Sequence, residues 1–407
     1  MSRACRIAAL LTAGLAVAAS PAAADHPRQP KVRCGQVITR DTTLANDLLD
    51  CPGTGLTIGA DGVTLDLGGH VVDGTNAPGG DGIAVDGHAG VRIAHGTVRD
   101  FRVNGVALRD APGSAVRGLT ITRIGAGGVE GEDVSAGIFV QGSDDTGLDG
   151  NRISNDVDAY QADGIVVLRS AGVAVTRNDA SRNAWNGMVL ANAPDARVLG
   201  NRTAANANSG ILAADSPRVI VRGNTSAGHG NPDTGGIVLL ATPDGLVEGN
   251  LLQDDYTGIS LENGTTQTKV RANAIRGGGA GIVVLDSDGN AVLDNDVADA
   301  GEVGLVLGEF GGDGSDANTV ARNVVRGAHD GVLVEGGSSA NVLRDNLSAH
   351  NAANGFLVQD PGNTLAHNTA KRNGARGIQA VAGTIDGGGN RASGNGVSPQ
   401  CAGVMCR

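Results

Sequence analysis

Short apolar runs recur along this chain with a constant polar punctuation. Each unit opens on glycine, continues as Gly-Ile-x-Val or a close variant, breaks at a polar turn, resumes as a second apolar run and closes on asparagine. Gly281-Ile282-Val283-Val284 followed by Ala291-Val292-Leu293-Asp294-Asn295 is typical. The opening glycines are Gly164, Gly187, Gly210, Gly236, Gly258, Gly281, Gly304, Gly331, Gly355 and Gly377, spaced by 22 to 27 residues. Self-similarity at a fixed period predicts one structural unit stacked many times. The runs are short, rich in Val, Ile and Leu, and carry no helical spacing, so each unit should supply two or three strands.

The period is too short for tetratricopeptide or ankyrin units, and the Leu-x-x-Leu-x-Leu pattern of leucine-rich repeats is missing. An all-β parallel β-helix fits, with about thirteen coils stacked into a rod roughly 60 Å long. Asparagines mark a second register: Asn151, Asn178, Asn201, Asn224, Asn250, Asn273, Asn295, Asn323, Asn346, Asn368 and Asn390. Five residues later a further column holds Asn183, Asn206, Asn351, Asn373 and Asn395. Asparagine tolerates left-handed bends and can donate and accept along a stack of its own kind. Both columns are expected to be structural.

Composition refines this. Aromatic residues make up 2% of the chain, so the core must be aliphatic, and sixty-six glycines imply tight turns in every coil. Residues 1–24 read as a signal peptide: Arg3 and Arg6, an apolar stretch from Ile7 to about Ala19, then Ala22-Ala23-Ala24. That stretch is too short to span a bilayer, and no later one would anchor in a membrane. Residues 25–33 are expected to be a flexible linker, 34–53 an N-terminal cap, 54–390 the repeats and 391–407 a C-terminal cap. In an oxidising, extracellular or periplasmic compartment the remaining cysteines suggest two local bridges, Cys34–Cys51 and Cys401–Cys406, stapling the open ends of the rod. A formal charge of −12 argues against a nucleic-acid partner.

Together with Gly62-Val63-Thr64-Leu65-Asp66-Leu67-Gly68-Gly69-His70, these repeats resemble secreted right-handed parallel β-helix proteins of the pectate-lyase-like superfold. The resemblance covers nearly all of residues 34–407 and implies carbohydrate lyases, hydrolases, epimerases, adhesins or tailspikes, without choosing among them. Polygalacturonase-like motifs are represented only by Asp144-Asp145 and Gly228-His229-Gly230, about three coils apart, where hydrolysis needs paired carboxylates flanking one bond. The Asp-Pro-His signature of alginate-type epimerases is missing. Gly311-Gly312-Asp313-Gly314-Ser315-Asp316 is similar to one calcium-binding nonapeptide but stands alone. A copper-delivery role, which other β-helix repeat proteins serve, fits poorly with three methionines and scattered histidines.

Candidate chemistry gathers at the corner before each opening glycine. Tyr160, Trp185 and Tyr256, all of the chain's Tyr and Trp residues, fall there and suit stacking on sugar faces, with Asp163 and His229 as polar neighbours. Two adjacent insertions carry Glu130, Glu132 and Asp133, then Asp156 and Asp158, a candidate Ca²⁺ set. The expected partner is extracellular polysaccharide. The alternative is a non-enzymatic scaffold or adhesive protein that self-associates through the outward aliphatic positions of the first strands, such as Val166, Val189 and Val283.

Overall fold

The computed structural model describes residues 31–125, 135–155, 162–231, 234–312 and 314–407. These form a parallel β-solenoid with no helix among them. Each coil adds one strand to a sixteen-stranded parallel sheet, and two shorter strands separated by a bend to a second stack. One coil, for example, runs through Asp163–Leu168, Ala174–Thr176 and Asp179–Ala180. These pair in register with Met188–Ala191, Arg197–Leu199 and Arg202–Ala204 of the next coil.

Sixteen rungs make about fifteen turns, more than the thirteen expected. The additional turns come from the chain ends. Gln36–Ile38 pairs with Leu56–Ile58 as a first rung, and Cys401–Ala402 pairs with Ile378–Ala380 as a last one. Both predicted disulfides are present in these terminal coils, with Cα separations of 5.3 Å for Cys34–Cys51 and 6.1 Å for Cys401–Cys406.

Strand alternation sends Ile165, Met188, Ile211, Ile237, Ile259 and Ile282 inward as one fully buried column in successive rungs. The opening glycines are required by close approach rather than by a turn. A Cβ on Gly164 would stand 2.4 Å from the Gly187 carbonyl oxygen, and one on Gly281 would stand 2.3 Å from that of Gly304. No other residue lets adjacent backbones pass this closely.

The first asparagine column is an unbroken ladder from Asn151 to Asn390. Asn224, for instance, donates its N–H (2.8 Å) and its Nδ2 (3.0 Å) to Asn250 Oδ1, and Asn250 repeats both bonds to Asn273. Buried amides need such partners, and identical neighbours at the strand spacing supply them. The left-handed backbone lies one residue earlier than expected, at Arg177 (φ 53°), Ala272 (φ 53°) and Asp294 (φ 56°), immediately before Asn178, Asn273 and Asn295. The amide ladder, not a bend at the asparagine itself, accounts for the column.

The outward aliphatic column is real but mostly covered. Val166, Val238 and Val306 are buried on the outer face of the long sheet, and Val283 is 9% exposed. Around Ala280, Val283 and Val306 a small outer cluster packs with Leu285, Val303 and Leu333, so rungs above and below shield one another.

Candidate functional site

The position two residues before an opening glycine is backbone-bonded from rung to rung in separate stretches along one corner, Ala162–Trp185–Asn208 and Tyr256–Gly279–Glu302, and between them the Tyr256 N–H donates to His229 O instead (2.8 Å). Trp185 N–H donates to Ala162 O (3.1 Å) and Asn208 N–H to Trp185 O (3.0 Å). Gly279 N–H donates to Tyr256 O (2.8 Å) and Glu302 N–H to Gly279 O (2.8 Å). Trp185 and Tyr256 are both half-buried, on equivalent positions three rungs apart. Gly279 leaves room for the Tyr256 ring, since a Cβ there would lie 3.3 Å from two ring carbons. The phenol therefore crosses one rung and donates to Glu302 Oε1 at 3.0 Å.

A groove of about 270 Å³ opens beside this corner on the outer face of the long sheet. Thr234, Thr257, Ser260, Glu262, Val283, Leu285 and Phe310 line it. Ser260 Oγ donates to Glu262 Oε1. Phe310 is 81% exposed on the loop after Val303–Gly308, and its N–H is held by Asp286 Oδ2 at 3.1 Å. Sequence reasoning missed Phe310, which lies on a loop outside the recurring positions, and Glu262, which stands in the rung register of Leu240 and Leu285 at a position its neighbours fill with leucine. A large exposed aromatic in a chain with so few was the available signal.

Asp163 and His229 are placed otherwise than the sequence implied. Asp163 is buried one residue before Gly164, and its Oδ1 accepts both the N–H (2.8 Å) and the Nδ2 (3.0 Å) of Asn186. Burial pushes its carboxyl up to about 7 against those two bonds. The same Asp–Asn doublet recurs at Asp81–Asn104 and Asp330–Asn354, so it belongs to the frame of the corner. His229 lies inside the solenoid as a member of the second amide column. Its Nδ1 accepts the Asn206 N–H at 3.2 Å, and its own N–H donates to Asp255 Oδ1 at 3.2 Å. A fully enclosed imidazole cannot touch a ligand on the surface.

Burial holds His229 down at about 4 and pushes Asp255 up to about 7. Beside them, His229 Nε2, Asp255 Oδ2, Thr203 Oγ1 and Ser226 Oγ have no hydrogen-bond partner among the described residues. Asp144 and Asp145 serve a turn, with Asp144 Oδ1 accepting the Ala171 N–H at 2.7 Å. The polygalacturonase-like fragments therefore do not converge. Tyr160, Glu130, Glu132, Asp133, Asp156 and Asp158 lie outside the described residues, which leaves the candidate Ca²⁺ set and one aromatic without a position.

The chain is a right-handed parallel β-helix protein. Residues 229–397 match the family described as "Right handed beta helix region", and residues 134–303 match the one described as "Periplasmic copper-binding protein (NosD)". No curated protein matches the sequence. Among solved structures, the periplasmic alginate epimerase AlgG is similar at 12% identity over 78% of this chain and 77% of its own, with a TM-score of 0.47. The Azotobacter vinelandii mannuronan C-5 epimerase AlgE4 A-module shares 16% identity over 82% and 91%, with a TM-score of 0.45. PfbA, a surface adhesin of Streptococcus pneumoniae, shares 11% identity over 65% and 82%, with a TM-score of 0.38. At such identities the likeness concerns the fold alone.

The residues present do not fit a copper centre. Among the described residues no three of His, Cys, Asp or Glu converge on one point. Cys34, Cys51, Cys401 and Cys406 are bridged, Met188 is buried in the core, and Met405 is exposed at the far end of the rod. Copper favours clustered imidazole or soft sulfur ligands, and the described residues gather neither.

Proposed function

We propose that this is an exported glycan-binding β-helix protein whose ligand lies along the corner carrying Trp185 and Tyr256 and the adjoining groove under Phe310. The observation that carries the reading is the shared register position. Two half-exposed aromatic rings repeat on one edge of a rigid rod, beside a concavity lined by hydroxyls and one carboxylate. Ring faces supply apolar contact to sugar rings, while Ser260, Thr234, Thr257 and Glu262 offer hydrogen bonds to hydroxyls. Among the described residues Glu262 is the one carboxylate lining the groove, which speaks for retention of a glycan rather than hydrolysis, where two carboxyls must flank the bond. The two disulfides fit an extracytoplasmic compartment, and the pattern of residues 1–24 supports export. Among the described residues no helix is long and apolar enough to cross a membrane.

The test is affinity electrophoresis on neutral polysaccharides with the wild type, Trp185→Ala and Tyr256→Ala. Retardation of the wild type that both variants lose supports the reading; no retardation, or retardation indifferent to both, refutes it. A self-associating scaffold is favoured by a separate observation, the apolar ends of the rod, where Val37, Leu49, Ile385 and Met405 are exposed. Sedimentation that finds a monomer at all concentrations would exclude it.

A further inference from the structure

A second concavity, of about 460 Å³, lies on the short-strand stack and is lined by Arg152, Ser154, Asp179, Ser181, Arg182 and Arg202. Strand register sets Arg152 and Arg202 on either side of Asp179, one rung away in each direction. Arg182 stands on the Asp179 coil just past its strand, in left-handed backbone (φ 56°), three residues before Trp185. Among the described residues, three guanidinium groups thus share one opening with a single carboxylate.

That carboxylate is already engaged. Arg202 Nη1 reaches Asp179 Oδ1 at 3.3 Å and Ser181 Oγ at 2.8 Å, while Ser181 Oγ donates to the same Oδ1 at 2.5 Å. Among the described residues, neither Arg152 nor Arg182 has an acidic partner. Some surface arginines of the stack are paired with an acid on a neighbouring rung: Arg177 with Asp149 (2.6 Å), Arg218 with Asp195 (2.7 Å) and Arg322 with Asp294 (2.7 Å). Glu248 is clamped between Arg222 (2.7 Å) and Arg271 (2.6 Å). Arginines with and without an acidic partner both recur along the stack; what sets this concavity apart is that Arg152 and Arg182, neither with an acidic partner among the described residues, open onto the same space as Arg202.

We propose that this groove binds an anionic glycan segment, with Arg152 and Arg182 taking its carboxylate or sulfate groups and Arg202 fixed as a third donor by Asp179 and Ser181. The planar fork of guanidinium matches a carboxylate or sulfate through two parallel hydrogen bonds. Arg152 and Arg202 stand about 10 Å apart along the rod, two rung spacings, so successive charges of one polymer can meet different arginines. The volume falls in the ordinary range of ligand sites. The inference rests on the glycan reading only for the kind of polymer that carries the charges; the recognition of anions stands on the groove alone.

The test is titration calorimetry of the wild-type protein with polygalacturonate, dextran sulfate and neutral dextran. At least one charged polymer should bind, with affinity falling as salt is raised. The double variant Arg152→Ala/Arg182→Ala should bind it roughly tenfold or more weakly, and Arg152→Lys/Arg182→Lys should fall between. Arg218→Ala, an exposed arginine outside the groove, should bind like wild type. Preference for polygalacturonate assigns a carboxylate ligand, and preference for dextran sulfate a sulfate. The proposal is overturned if neither charged polymer binds, if the double alanine variant binds as wild type does, or if Arg218→Ala weakens binding equally. Trp185→Ala separates the two readings, since it should impair retention on neutral glycans and leave the arginine-dependent binding in place.

Discussion

Replacing Asp255 by Asn should stabilise the protein at alkaline pH. Asp255 occupies a position in the second amide column where other coils use asparagine, and its Oδ1 accepts the His229 N–H as an amide oxygen would. Its other oxygen lies against Gly236, where a Cβ would stand 2.4 Å from Asp255 Oδ2 and 2.9 Å from Ser226 Oγ. Burial raises the carboxyl from 3.8 to about 7, so the folded state favours the protonated acid, which imitates asparagine. With a folded pKa above the unfolded one, the contribution to stability is full below pH 3.8 and is lost as pH rises through about 7. Three units at about 1.4 kcal/mol each give about 4 kcal/mol by pH 8. Asp255→Asn removes this loss, and its Nδ2 can donate toward Ser226. Thermal midpoints of both proteins, followed from pH 5 to pH 9, read the difference directly. Burial holds folded His229 at about 4 against 6.5 in the unfolded chain, so both proteins lose the same stability toward pH 5 and the effect cancels in their difference. The variant's advantage should be small at pH 5, grow to about pH 7 and then level off. A variant less stable than wild type at pH 8, or an advantage that does not change with pH, would refute the reasoning.

Other consequences follow from the same geometry. Gly281→Ala would bring a Cβ to 2.3 Å from Gly304 O and 2.4 Å from Val297 Cγ1, and should lower stability by about 1–3 kcal/mol or more in urea titration. Asn250→Ala should cost about 2–5 kcal/mol by the same measure, since it strands the Asn224 N–H and Nδ2 and the Val221 carbonyl inside the stack. Asp163→Asn should repeat the pH signature of Asp255→Asn, with stability gained above pH 7, because burial also raises Asp163 to about 7. Tyr256→Phe removes the bond to Glu302 while keeping the ring, so glycan retention should survive in Tyr256→Phe and fail in Tyr256→Ala.

The repeat was legible because stacking makes severe demands on identity at a few positions. A rung glycine is fixed by the next carbonyl oxygen, and a ladder asparagine by the amides above and below, so both recur visibly. Terminal coils were undercounted because their glycines are less evenly spaced and their strands overlap the cysteine-bounded segments. Other buried columns escaped notice because different residues fill them. Ser216, Thr242 and Thr265 form one hydroxyl ladder, and Asn290, Asn318, Asn341 and Asn363 a further amide ladder. His229 and Asp163 were misread for a related reason. Each sits near a corner, where position in the chain does not say whether a side chain turns inward, and His229 stands with Asp255 in a column that asparagines fill in other coils. The arginine groove was invisible in one dimension, since Arg152, Arg182 and Arg202 come from different coils and each resembles an ordinary surface residue.

Trp185 is the chain's single tryptophan, so its fluorescence reports on the proposed binding corner, and dependence on Tyr256 separates that corner from the arginine groove beside it. Titrating the wild-type protein with a panel of neutral and acidic oligosaccharides should give a saturable change in tryptophan emission for at least one of them, with Tyr256→Ala weakening the apparent affinity. Emission that stays constant across the panel, while an oligosaccharide demonstrably binds elsewhere or none binds at all, would contradict the assignment of this corner as a glycan site.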